Sequence, residues 1–171
     1  MTAPRPRPAE PKPAERHAAE PRPAASGAVP PVEGRPLPVP DAVSAAYWDA
    51  AARHVLTTAR CARCRAFAVP PDQVCPACGS SDPGFAFEEV SGRGVVRSWT
   101  VVRQSNLAGF AADVPFYLVD VELVEQPELR MIGRLLDGAA AGPRLGAPVA
   151  VAFEDVAPGV AVPAFRLAGT P

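Results

Sequence analysis

Four cysteines fall within 18 residues of a 171-residue chain: Cys61-Ala-Arg-Cys64, ten intervening residues, then Cys75-Pro-Ala-Cys78-Gly79. Two Cys-x-x-Cys knuckles at this separation have the spacing of a tetrahedral four-thiolate site, with zinc as the expected metal. A two-residue gap in a tight turn lets both sulfurs reach one ion at about 2.3 Å. Gly79 follows the second knuckle, where a positive φ suits glycine, whereas Arg65 holds the matching place after the first. Pro70-Pro71-Asp72 supplies a turn between the knuckles, as in a small ribbon hairpin. Arg60, Arg63 and Arg65 crowd the first knuckle. They either offset the net negative charge of four thiolates around Zn²⁺ or present a basic patch to a partner.

Other uses of the cysteines are weaker. Disulfides are disfavoured in a cytosolic chain, and a redox Cys-x-x-Cys usually stands alone within a βαβ pattern. Iron in a rubredoxin-like site is the remaining alternative metal. With all four ligands supplied by protein, the site is structural and no thiol is left as a nucleophile. His17 lies near the N-terminus, so His54 is the one histidine of the body. Neither a Cys-His pair nor a histidine metal cluster can then form, and His54 reads as a packed or solvated side chain. The expectation is a chain with no catalytic set of its own.

These residues need elements to hold them. Asp41 and Ser44 are good N-cap residues, and an alanine-rich helix is expected over 42–53. Tyr47, Ala50, Ala51 and His54 share one helical face, with Trp48 on the next. After Cys78 the pattern turns to period two. Strands are expected at Phe85–Val90, Gly94–Arg103, Phe116–Glu125, Leu129–Leu136, Pro148–Glu154 and Val160–Leu167. Tyr117, Val119, Val121 and Leu123 form the clearest apolar face. The fold class is mainly β: an N-terminal helix, a rubredoxin-like zinc ribbon, then a small OB-type barrel. The loop 137–147 replaces the helix usual between the third and fourth barrel strands.

The prolines mark a boundary. Residues 1–40 hold 12 of the 23 and residues 41–171 the other 11. The first segment has few large apolar residues and reads as a disordered, Pro-rich arm. The expected division is 1–40 arm, 41–82 helix and ribbon, 83–171 barrel. The formal charge is −1; six cations against four acids give the arm +2, so the body carries −3. That balance disfavours phosphate-backbone binding. No apolar run approaches the roughly 20 residues of a membrane span, and nothing resembles a signal peptide, so a cytoplasmic location is expected.

Taken in order, these pieces resemble a known family, the zinc-ribbon plus OB-fold acyl-CoA-associated proteins, formerly a domain of unknown function. The matching residues are Tyr47-Trp48, the knuckles Cys61/Cys64 and Cys75-Pro-Ala-Cys78-Gly79-Ser80, Ser91-Gly92-Arg93-Gly94, and Ser98-Trp99-Thr100-Val101-Val102. Val114-Pro115-Phe116-Tyr117, the strand 119–123, Gly146 to Glu154 and Pro163-Ala-Phe165 complete the set. The chain departs from the family pattern at Arg65, at Glu125–Glu128 and in the Pro-rich arm. The resemblance implies a non-catalytic accessory subunit in lipid metabolism, with structural zinc. Its partner would be a thiolase-like, aldolase-like or hydratase-like subunit, docked by ribbon and leading helix. The barrel would help form or cover an acyl-CoA site.

Candidate contact residues for partner or ligand are Tyr47 and Trp48 on the helix, Arg97, Trp99 and Arg103 on one side of the long strand, Phe110 in loop 104–115, and Arg134. Stacking and positive charge on an OB face suit the adenine and phosphates of CoA. The alternative function is a single-stranded nucleic-acid binder, since ribbons and OB barrels both occur there.

Overall fold

The computed structural model describes residues 34–169. The expected arm therefore lies outside the described residues over 1–33. Gly34–Pro40 departs from expectation: it runs along the body, and the Arg35 side chain is only 8% exposed. Its carboxylate partner, Asp113, is 78 positions away, a relation that local composition cannot carry.

The helix, α1 (Ala45–Ala51), is shorter than expected. Asp41 sets its start: Oδ1 accepts the backbone N–H groups of Val43 (3.1 Å) and Ser44 (2.7 Å), and the carbonyl accepts Ala45 N–H at 2.9 Å. The Ser44 hydroxyl, then these N–H groups, hold the Asp41 carboxyl below its usual range. At the other end His54 takes φ 59°. His54 N–H reaches Ala51 O (2.8 Å) and Val55 N–H reaches Ala50 O (3.0 Å), a Schellman closure. His54 Nε2 lies 2.8 Å from Asp155 Oδ1, and its ring stacks on Phe153 at 5.1 Å. The lone histidine thus pins the helix end to the barrel.

Three short strands form the ribbon sheet: β1 (Thr57–Arg60), β2 (Phe67–Ala68) and β3 (Ala86–Glu89), in the order β2-β1-β3. The strand expected at Phe85–Val90 as part of the barrel pairs here with β1 instead, Ala59 facing Phe87. Alternation shows that a segment is a strand but not which edge it joins, so the ribbon sheet extends past residue 82.

The remaining strands are β4 (Arg93–Val102), β5 (Phe116–Leu123), β6 (Arg130–Leu135), β7 (Pro148–Ala157) and β8 (Val160–Leu167). They close as β4-β5-β6-β8-β7, the order of an OB barrel. Residues 137–147 cross between β6 and β7 without a helix. Val96, Val119, Val121, Leu123, Leu135 and Phe165 fill the interior, each at most 1% exposed. Burying such a side chain contributes roughly 1.5–3 kcal/mol. Gly133 makes room for the largest of them: a Cβ there would sit 2.8 Å from the Phe165 ring.

One strand breaks its period. β4 carries a bulge between Val96 and Ser98, with Val96 opposite Val121 and Trp99 opposite Val119. Val119 and Val121 share the interior face of β5, so Val96 and Trp99 share one face of β4. Val95 lies opposite Glu122 on the other face, and Arg97 pairs with Glu122 at 3.7 Å. The common side expected for Arg97, Trp99 and Arg103 is therefore corrected: the extra residue swaps the faces. No helix among the described residues is long and apolar enough to cross a membrane.

Candidate metal centre and its surroundings

The two cysteine knuckles are one backbone turn used twice. Cys61 N–H bonds Ala66 O and Arg65 N–H bonds Cys61 O, both at 2.9 Å; Cys75 N–H bonds Ser80 O and Gly79 N–H bonds Cys75 O, also at 2.9 Å. Arg65 (φ 66°) and Gly79 (φ 70°) occupy the same left-handed position. The departure at Arg65 thus changes the side chain and leaves the turn intact. In each knuckle the first sulfur is buried (Cys61, Cys75) and the second exposed (Cys64, Cys78).

All four Sγ atoms lie within 4.8 Å of one another, and Cys64 and Cys75 sulfurs are 3.7 Å apart. A tetrahedron with 2.3 Å metal–sulfur bonds has edges of about 3.8 Å. The cage therefore fits a four-coordinate zinc, held by Cys61, Cys64, Cys75 and Cys78 as structural ligands. The Cys75 thiol is lowered to about 7, first by the backbone N–H of Cys78, whereas Cys64, against the backbone N–H of Ala66, is pushed up to about 11 by burial and the three neighbouring cysteines. The arginines around the first knuckle are engaged by carboxylates. Arg60 and Arg65 both reach Glu88 (2.8 and 2.9 Å), and Arg63 reaches Asp82 (2.7 Å).

The structure sorts the remaining candidates into three places. Tyr47 and Trp48 meet edge to face at 5.0 Å, and Tyr47 lies 6.1 Å from Phe87. Burial pushes the Tyr47 phenol up to about 12. Both rings line a groove of about 380 Å³ between α1 and the ribbon sheet. Trp99, 40% exposed, and Arg103, beyond the strand end, stay apart from that groove.

Phe110 and Arg134 do come together, in a cluster that sequence reading missed. Arg134 bonds Asp113 (2.8 Å) and Glu154 (3.1 Å), and its guanidinium lies 4.8 Å from the Phe116 ring centre. Arg35 enters the same group, bonding Asp113 and Gly109 O (3.1 Å) with its guanidinium 4.2 Å from the Phe110 ring centre. Two cations thus meet two carboxylates beside a cavity of about 590 Å³, walled by Gly34–Pro40, loop 104–115 and the barrel. Gly109 belongs to this contact, since a Cβ there would lie 2.8 Å from the Arg35 backbone nitrogen. Nothing in the local sequence marks residue 35; only the fold pairs it with Asp113.

Comparison with known proteins gives matches over both units. Residues 48–84 match the family described as the ChsH2 rubredoxin-like zinc ribbon domain, and residues 87–154 match the ChsH2 C-terminal OB-fold domain. A solved structure titled Ltp2-ChsH2(DUF35) aldolase is 30% identical, with a TM-score of 0.65, over 76% of this chain and 98% of that one. A protein of Thermomonospora curvata described as a probable enoyl-CoA hydratase alpha subunit is 31% identical over 132 residues, 77% of this chain. The chain spans 40% of the length of that curated relative.

Proposed function

Because the chain belongs to the ChsH2-type family that joins a rubredoxin-like zinc ribbon to an OB-fold domain, we propose that it is a non-catalytic accessory subunit of an enzyme acting on CoA thioesters. The observation that carries this reading is the 30% identity over 98% of the chain from the Ltp2-ChsH2 aldolase structure. The hydratase subunit from Thermomonospora curvata points to the same substrate class. The metal centre supports a structural part, since its four ligand positions are all cysteine sulfurs.

In this reading the ribbon and the Tyr47–Trp48 end of α1 dock on a thiolase-like, aldolase-like or hydratase-like subunit. Aromatic side chains of this kind dominate interface energetics. Trp99 and Arg103, exposed near one end of β4, offer a stacking surface and a charge to the adenine and phosphates of acyl-CoA. Arg134 already has two carboxylate partners and serves instead to hold the cavity wall. The protein works in the cytoplasm.

The test is co-expression with a candidate enzyme subunit. The two chains co-elute, and acyl-CoA turnover requires both. An enzyme equally stable and active alone, with this chain binding neither it nor acyl-CoA, would remove the proposal.

A further inference from the structure

We propose that the groove between α1 and the ribbon sheet is the docking site for the proline- and arginine-rich start of this same chain, Pro4-Arg5-Pro6-Arg7-Pro8. The groove has the chemistry that polyproline recognition requires. Its walls carry three aromatic rings, Tyr47, Trp48 and Phe87, with Pro70 and Pro71 alongside. Proline-rich extended segments bind in aromatic-lined grooves of this kind because they are ordered at little entropic cost.

Charge matches as well. The groove continues into a second hollow of about 550 Å³ that shares Val43, Pro71 and Phe87 with it. Asp41 stands in the first and Asp72 in the second, and among the described residues no Lys, Arg or His lines either. Arg5 and Arg7 come before the first acid of the chain, Glu10. A segment with two cations and no acid thus faces a trough with two acids and no cation.

The chain can reach. Asp41 lines the groove and Gly34 lies seven residues earlier beside loop 104–115, so the two are at most roughly 25 Å apart. Between Pro8 and Gly34 stand 25 residues, which span up to roughly 80 Å when extended. Gly34 has φ 79° and can turn the chain back. The groove shares Tyr47 and Trp48 with the docking face proposed above, so an arm seated there covers that face while no partner is bound, and the arm is tested on this chain alone.

The experiment uses the full chain with ¹⁵N-labelled tryptophan. Its two indole N–H signals belong to Trp48 and Trp99, assigned with a Trp99→Phe variant. In the double variant Arg5→Glu, Arg7→Glu the Trp48 signal moves and the Trp99 signal does not. A synthetic peptide of residues 1–12, added to that variant, returns the Trp48 signal saturably. The same peptide with both arginines replaced by glutamate binds at least about tenfold more weakly. Identical Trp48 signals in native chain and variant, with no response to peptide, would overturn the proposal. So would a Trp48 shift that grows with protein concentration, which would assign the groove to the arm of a second copy.

Discussion

Gln126 pairs with Phe67 as though it were a further strand residue. Its Oε1 accepts the Phe67 N–H at 2.8 Å and its Nε2 donates to the Phe67 carbonyl at 3.2 Å. The β5–β6 turn thereby closes the free edge of β2, and one side chain couples barrel to ribbon. Replacing Gln126 with Ala leaves both main-chain groups unpaired and costs about 1–2 kcal/mol. A fall in Tm with zinc content unchanged is the expected result, measured by calorimetry and metal analysis on one sample.

The metal centre makes a sharper demand. Removing one ligand from a four-thiolate cage removes the folding energy that the ion supplies. Cys61→Ser and Cys78→Ser therefore lose zinc and loosen the ribbon. Elemental analysis reads the metal, and proteolysis between the knuckles reads the loosening. Zinc retained at the native ratio in either variant contradicts the assignment.

The repeated knuckle turn predicts an asymmetry between two substitutions. Gly79→Ala places a Cβ at φ 70° and costs roughly 1–2 kcal/mol. Arg65→Gly relieves the same strain at φ 66° but gives up the pair with Glu88, a solvent-screened contact that contributes little. Chemical denaturation should show the first variant clearly destabilised and the second equal to or more stable than the native chain.

The Arg35–Asp113–Arg134 cluster predicts acid sensitivity. Burial opposes charge on Asp113, but Arg134 and then Arg35 outweigh it and hold the carboxyl below its ordinary value. A group depressed on folding stabilises the fold above the unfolded carboxylate pKa of about 3.9, and that contribution fades as pH falls through the lower folded value. Asp113→Asn should therefore lower Tm at pH 7 while flattening the loss of stability below about pH 4. Parallel melts at pH 7 and pH 3 decide it: equal pH dependence in both proteins would sink the claim.

What could be read from the sequence was local. The metal ligands follow from spacing alone, because a Cys-x-x-Cys turn forces its sulfurs together wherever it occurs. Barrel strands such as Phe116–Leu123 follow from alternation, because one face must be buried. Three features stayed hidden for related reasons. The pairing of Phe87 with Ala59 is a choice of edge, which alternation does not encode. The bulge at Arg97 inserts one residue into a regular pattern and exchanges the faces after it. Arg35 looks like any other arginine among prolines until Asp113 is brought beside it.

The barrel is closed by a seam rather than a ladder. β6 meets β8 in parallel at a single pair, Leu135 with Phe165, while β7 and β8 pair along their length. The Phe165 ring over Gly133, fully buried, does much of the closing. Main-chain amides facing that seam depend on side-chain packing for protection, so hydrogen exchange should run fastest there among the barrel strands. A cylinder with one such joint can breathe along a defined line without losing its other four walls.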